Sequence, residues 1–187
     1  MAYLDDSLSH LELFEGIVPW MYLDTRGYIT VGVGEMLATA PRAQSLAFVD
    51  TNNQAVNPDV ILSDYTRVLT LPPARLAAFY RSSSSPTLPH AQIDSLLMEH
   101  LIFFDKQLSQ QFPTYSSFPD PAKLGLLDMI YNLGAIGLFR GFPTFMGYVQ
   151  NRDWPNAALQ CQRNGPSPAR NGWTKQQFLE AAAVPAQ

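Results

Sequence analysis

Between Phe14 and Glu35 the chain reads FEGIVPWMYLDTRGYITVGVGE, and no other stretch narrows its folding options as far. Just upstream, LSHLELFEGIV sets Leu8, Leu11, Phe14 and Val18 at helical spacing, which predicts a first helix over residues 5–18, stopped by Pro19. YLDTRGYITVGVG then reads as two short extended segments around an Asp-Thr-Arg-Gly turn, within a small β segment over 20–35. Gly27, Gly32 and Gly34 supply the unusual backbone angles that such a compact turn and strand require. Glu15 is thus expected at a helix end, Asp24 at a turn nine residues later and Thr30 on a strand six further on. Two carboxylates from different elements can face one cleft.

The rest of the chain reads as support for that segment. The stretch ATAPRAQSLAFVDTNNQAVNPD lacks periodicity and is expected to be irregular, and an Asn57-Pro58 start signal opens a helix that ends before Pro72-Pro73. RSSSSPT, residues 81–87, is expected to be the most mobile loop. From Thr87 to Phe112 the residues Ile93, Leu96, Leu97, Leu101, Phe104 and Leu108 form the apolar stripe of the longest helix, with Thr87 as its cap and Pro89 in its first turn. A second apolar helix runs from Pro121 and is expected to stop at Gly134, followed by helices over 143–151, 154–162 and 171–183. The fold class expected is mainly α, with a small β element.

With 187 residues the chain suits one domain or one domain of two lobes. Its net charge of −4 argues against a nucleic-acid binder, because phosphate contacts require a basic surface. It also means weak electrostatic steering toward an anionic cell envelope. The single Cys161 excludes an internal disulfide and reads as a small buried apolar residue. His10, His90 and His100 lie on different predicted helices without ligand spacing, so no metal and no other cofactor is expected. No apolar run is expected to insert in a membrane, and MAYLDDSLSH shows no leader pattern. Synthesis in the cytoplasm is the expectation.

Glu15 in F-E-G, Asp24 in Y-x-D-T-x-G and Thr30 in Y-x-T-x-G-x-G together resemble the phage-type lysozymes, the muramidase family of phage endolysins (glycoside hydrolase family 24-like). A second block, Gly125 to Ala158, resembles that family's C-terminal lobe, with Asn132-Leu133-Gly134 at the substrate-facing turn and Trp154 opening a helix. ARNGWTKQQFLEA resembles its Arg-rich closing helix. The resemblance implies a lysozyme-like two-lobe fold: a β-containing lobe over about 12–86, a linking helix over about 87–112 and a helical lobe over about 113–187. The insertion from Ala38 to Pro86 exceeds a minimal member and reads either as a cover for the cleft or as elaboration.

By that resemblance the chain hydrolyses the β-1,4 bond between N-acetylmuramic acid and N-acetylglucosamine in peptidoglycan, without a cofactor. Glycoside hydrolysis needs an acid to protonate the leaving oxygen, and Glu15 is the candidate. Asp24 would stay ionised and, with Thr30, place the attacking water; their plain readings are a turn aspartate and a β-branched strand residue. Substrate contacts fall to Glu35, Tyr131, Asn132 and Arg140. Asn132 reads equally as a helix cap, Tyr131 as core and Arg140 as a solvated charge. Glu35 departs from the family, which carries His there: pointing into the cleft it adds a third negative charge, and otherwise it pairs with a cation such as Arg26 or Arg42.

Peptidoglycan glycan strands are then the expected partner, reached in the periplasm or cell wall through a holin or a secretion machine. An immunity protein or a secretion-machine carrier is the corresponding protein partner. Two other readings stand beside this one: a non-catalytic wall-binding or structural module on the same fold, which the Glu35 departure favours, and a glycosidase of chitin-like polymers.

Overall fold

The computed structural model describes residues 2–185. It is mainly helical with a small three-stranded antiparallel sheet, the expected class. In chain order, α1 spans Ala2–Glu15, β1 Val18–Leu23, β2 Ile29–Gly32, β3 Glu35–Met36, α2 Ala40–Gln44, α3 Pro58–Leu69, α4 His90–Gln111, α5 Asp120–Gly141, α6 Pro143–Gln150, α7 Trp154–Gln160 and α8 Pro168–Ala183. Short 3-10 turns occupy Ala77–Tyr80 and Tyr115–Ser117. The elements form two compact units, one of Glu15–Leu97 and one joining Met1–Phe14 to Met98–Gln187.

In the first unit the sheet runs β1-β2-β3. Leu23 pairs with Ile29 and Tyr22 with Thr30, and the register shifts at an irregularity between Val18 and Tyr22. Met21, Leu23, Ile29 and Val31 are buried, and α3 packs onto β1 and β2 with Ile61, Tyr65 and Val68. α3 starts where its sequence signal lies: the Asn57 side chain accepts from the Asp59 N–H at 2.9 Å and Pro58 takes a first-turn position. Gly32 (φ +66°) lies against α4, where an added Cβ would come within 3.1 Å of Ile93 Cγ2. Only glycine fits both the angle and the contact.

Three expectations for this unit are corrected. The stretch after the sheet is not wholly irregular, because Thr39 caps α2 by accepting from the Arg42 N–H and Pro41 stands in its first turn. Thr87 does not cap the long helix: its backbone forms a β-bridge with Val49, and α4 begins at His90, directly after Pro89. The serine loop is tied down. Ser85 is buried, its Oγ accepts from Arg67 Nη2 at 3.1 Å and donates to Asp64 Oδ1 at 3.3 Å, and Arg67 Nη2 also donates to the Tyr80 carbonyl at 2.7 Å.

In the second unit α5 is the central helix, packed on α6 and α8, with α7 between α6 and α8. As expected, its first helical stretch ends at Gly134, which leaves the helical geometry (φ 68°, ψ 165°), and a second stretch follows at once to Gly141, so α5 is two helices joined across a kink. By length and mean hydropathy (1.3), α5 is the one described helix that meets a membrane-spanning criterion, against the expectation that none would. Leu126, Leu127, Met129 and Ile130 are buried in the unit's core, and so is Asp128, which identifies a core helix.

Asp128 holds the unit together by charge. Arg163 Nη2 donates to its Oδ2 at 2.6 Å, Arg170 Nε to its Oδ1 at 2.7 Å, and Thr174 Oγ1 to its Oδ2 at 2.5 Å. His10 Nε2 lies 3.4 Å from Oδ1, and its ring stacks on Trp173 at 3.3 Å. Burial pushes the Asp128 carboxyl up, but the His10 contact, both guanidiniums and the Thr174 hydroxyl outweigh it and hold the group well below the usual carboxylate range. The arginines of the closing helix and its approach are therefore structural. Cys161 is buried, as expected.

Candidate active site

Glu15 closes α1, and Gly16 (φ +76°) follows it in the left-handed conformation that ends a helix and turns the chain into β1. The Glu15 side chain is exposed rather than set among apolar neighbours. This differs from the environment expected of it, because the buried face of α1 carries Leu4, Leu11 and His10 while Glu15 lies at the solvent end.

Asp24 follows β1 directly and builds the turn. Its Oδ1 accepts the N–H groups of Arg26 at 2.9 Å and Tyr28 at 2.8 Å, while Gly27 (φ +84°) donates to the Asp24 carbonyl at 3.0 Å. The plain reading of Asp24 as a turn aspartate therefore holds for one oxygen. The other, Oδ2, has Arg26 Nε at 3.5 Å, and Arg26 in turn lies over the Tyr28 ring at 5.2 Å. A single carboxylate thus shapes the loop with one oxygen and presents the other outward.

Thr30 is buried on β2 and its Oγ1 donates to the Tyr28 carbonyl at 3.2 Å, leaving the hydroxyl's acceptor lone pairs for a further donor. Directly across the hairpin stands Tyr22. Paired residues share a face of the sheet, so the Tyr22 phenol and the Thr30 hydroxyl lie on one side. Burial, then the negative charge of Asp24, then that of Glu15 push the Tyr22 phenol above its ordinary range. Both carboxylates therefore act on one phenol. Sequence reasoning did not single out Tyr22. The available signal was its place two residues before Asp24 on a strand whose alternate residues, Met21 and Leu23, are buried.

Glu35 does not join this group. It pairs with Val31, whereas Thr30 pairs with Met36, so the alternation of the strand puts Glu35 on the face opposite Thr30 and Tyr22. It is buried, and its Oε1 accepts from Arg42 Nη2 at 3.0 Å and Nε at 3.3 Å. The cation-paired alternative is the one found; a cleft-facing substrate contact is not.

The remaining named residues belong to the second unit, on α5. Tyr131 is half-buried, with its ring edge-on to Phe104 at 6.1 Å. Asn132 is exposed two residues before the Gly134 kink, and Arg140 is exposed in the last turn. Asn132 thus stands in the last turn of the first of the two helices that meet at Gly134. Glu15, Asp24 and Thr30, by contrast, all lie in the first unit, grouped around Tyr22. The chain matches no protein-family model and no curated protein sequence.

Proposed function

We propose that the chain is a peptidoglycan muramidase that hydrolyses the β-1,4 bond between N-acetylmuramic acid and N-acetylglucosamine. The observation that carries this reading is that Tyr22, whose phenol the charges of Asp24 and Glu15 both act on, pairs with Thr30 across the hairpin, on the strand that leads into the Asp24 turn. Glycoside hydrolysis uses two carboxyl groups in different roles, and these two come from different elements with different surroundings. Glu15, at an exposed helix end, donates the proton to the leaving oxygen. Asp24 Oδ2, positioned because Oδ1 is locked into the turn, stabilises positive charge on the sugar and orients the water that Thr30 Oγ1 also holds.

Tyr22 stays a neutral phenol at working pH, able to donate a hydrogen bond. The site of action is the periplasm or cell wall, reached through a holin or a secretion machine. Clearing of a purified peptidoglycan suspension, with mass analysis of the fragments, tests the reading. Muropeptides with reducing N-acetylmuramic acid support it; binding without cleavage would indicate a wall-binding module, and cleavage of chitin alone a different glycosidase.

A further inference from the structure

A second polar site lies in the first unit, built by the segment that follows the sheet. A pocket of about 670 Å³ opens between the Asp50 turn and the serine loop, lined among others by Asp50, Asn53, Arg81, Ser82, Ser83 and Thr87. Arg81 is its cation. The guanidinium lies 4.6 Å over the Trp20 ring, whose Nε1 donates to the Ala77 carbonyl at 2.9 Å, so the ring it stacks on is held in place. Among the described residues no carboxylate and no hydrogen-bond acceptor engages that guanidinium. Arg81 is exposed, and the pocket places it opposite the Asp50 turn. Its planar fork is the group that best matches a carboxylate.

The support behind Arg81 is rigid. Ser82 N–H donates to Ser85 Oγ at 3.0 Å, and Ser85 is fixed by Asp64 and Arg67 from α3. On the other wall Asp50 Oδ1 accepts the N–H groups of Asn52 at 2.8 Å and Gln54 at 2.9 Å, which leaves Oδ2 without a hydrogen bond. The pocket therefore offers a preorganised carboxylate ligand and, apart from it, an acceptor for an amide or ammonium. Trp20 and Tyr22 are both half-buried on β1, two residues apart, with Trp20 inside the irregularity between Val18 and Tyr22.

We infer that this pocket binds the carboxylate-bearing peptide stem that N-acetylmuramic acid carries through its lactyl group, with Arg81 taking the carboxylate and Asp50 Oδ2 an amide or ammonium. The inference rests on the muramidase reading and names what separates its substrate from chitin, which has no carboxylate. Arg81 is a specificity-determining residue here, not a catalytic one.

The test is binding, measured by calorimetry or NMR on the full chain, of a disaccharide that carries its peptide stem and of a peptide-free chitin oligomer. The peptide-bearing ligand should bind at least about tenfold tighter, and Arg81→Gln should remove that advantage while chitin-oligomer binding and the melting temperature stay as they were. Arg81→Lys, which keeps the charge and loses the fork, should retain part of it. Equal affinities for the two ligands, or an advantage that survives Arg81→Gln, would overturn the inference. Arg81-dependent binding without glycan cleavage would leave this pocket standing and remove the muramidase reading. Cleavage with no Arg81 dependence of binding would do the reverse.

Discussion

Tyr22 stands directly opposite Thr30 across the β1–β2 hairpin, on a sheet face reached by the charges of both Asp24 and Glu15. This relationship is measurable without any substrate. Removing either negative charge relieves the penalty on the phenolate, so Asp24→Asn and Glu15→Gln should each lower the Tyr22 pKa toward the ordinary tyrosine range, Asp24→Asn by more. Ultraviolet or NMR titration of the tyrosines reads the shift. An unmoved Tyr22 in both variants would separate the carboxylates from the phenol and dissolve the group.

Glu35→Gln bears on the residue that departs from the lysozyme pattern. Because Glu35 pairs with Arg42 on the face away from Thr30, the pH–rate profile should keep its alkaline limb where it is. Stability should fall by about 1 kcal/mol, since Arg42 can still reach water once its partner is neutral. A displaced limb would return Glu35 to the cleft.

The helical unit makes a stronger demand on charge. Asp128→Asn leaves Arg163 and Arg170 buried without their carboxylate, and chemical denaturation should show a loss of about 3–5 kcal/mol. The Asp128 pKa is depressed in the folded state, so the stability this carboxylate contributes is present above the ordinary Asp value of about 4 and is lost as pH falls below it. The variant should therefore lose that part of the wild-type acid sensitivity. An acid limb of the same depth in both proteins would contradict the network's role.

Alkaline pH acts on the two tyrosines that Asp105 holds. Tyr3 and Tyr115 both donate to its Oδ1, at 3.0 and 2.6 Å, and burial together with this carboxylate pushes both phenols up. In the unfolded chain they ionise near 10, so stability present below about pH 10 should be lost as pH rises above it. Asp105→Asn should weaken that dependence, and a pH–stability curve unchanged by the substitution would contradict it.

How much of this was legible in the sequence follows from range. Local punctuation gave reliable signals: Asn57-Pro58 starts α3, and the apolar stripe from Ile93 to Leu108 is buried on α4 at all but Phe104. The turn aspartate and the strand threonine were readable because their partners lie two to four residues away. What escaped depends on partners far along the chain. Ser85 looks mobile until Asp64 and Arg67, 21 and 18 residues earlier, are brought to it, and Asp128 waits for Arg163 and Arg170, 35 and 42 residues later. α2 was missed for a different reason. Five residues are too few to show periodicity, and only its Thr39 cap and Pro41 announce it. Gly134 was readable as a stop because a left-handed glycine ends a helix; that a second helix follows at once was not.

Peptidoglycan clearing by Glu15→Gln, beside wild type and with melting temperatures to show that both are folded, decides whether Glu15 is the acid. The substitution removes the transferable proton and keeps the side chain's shape. Wild type should clear the suspension and release muropeptides, while the variant should retain less than about one part in a hundred of that rate, within the range assigned to a single positioned acid. Clearing by the folded variant at a rate near wild type would contradict Glu15 as the acid and, with it, the muramidase site around Tyr22.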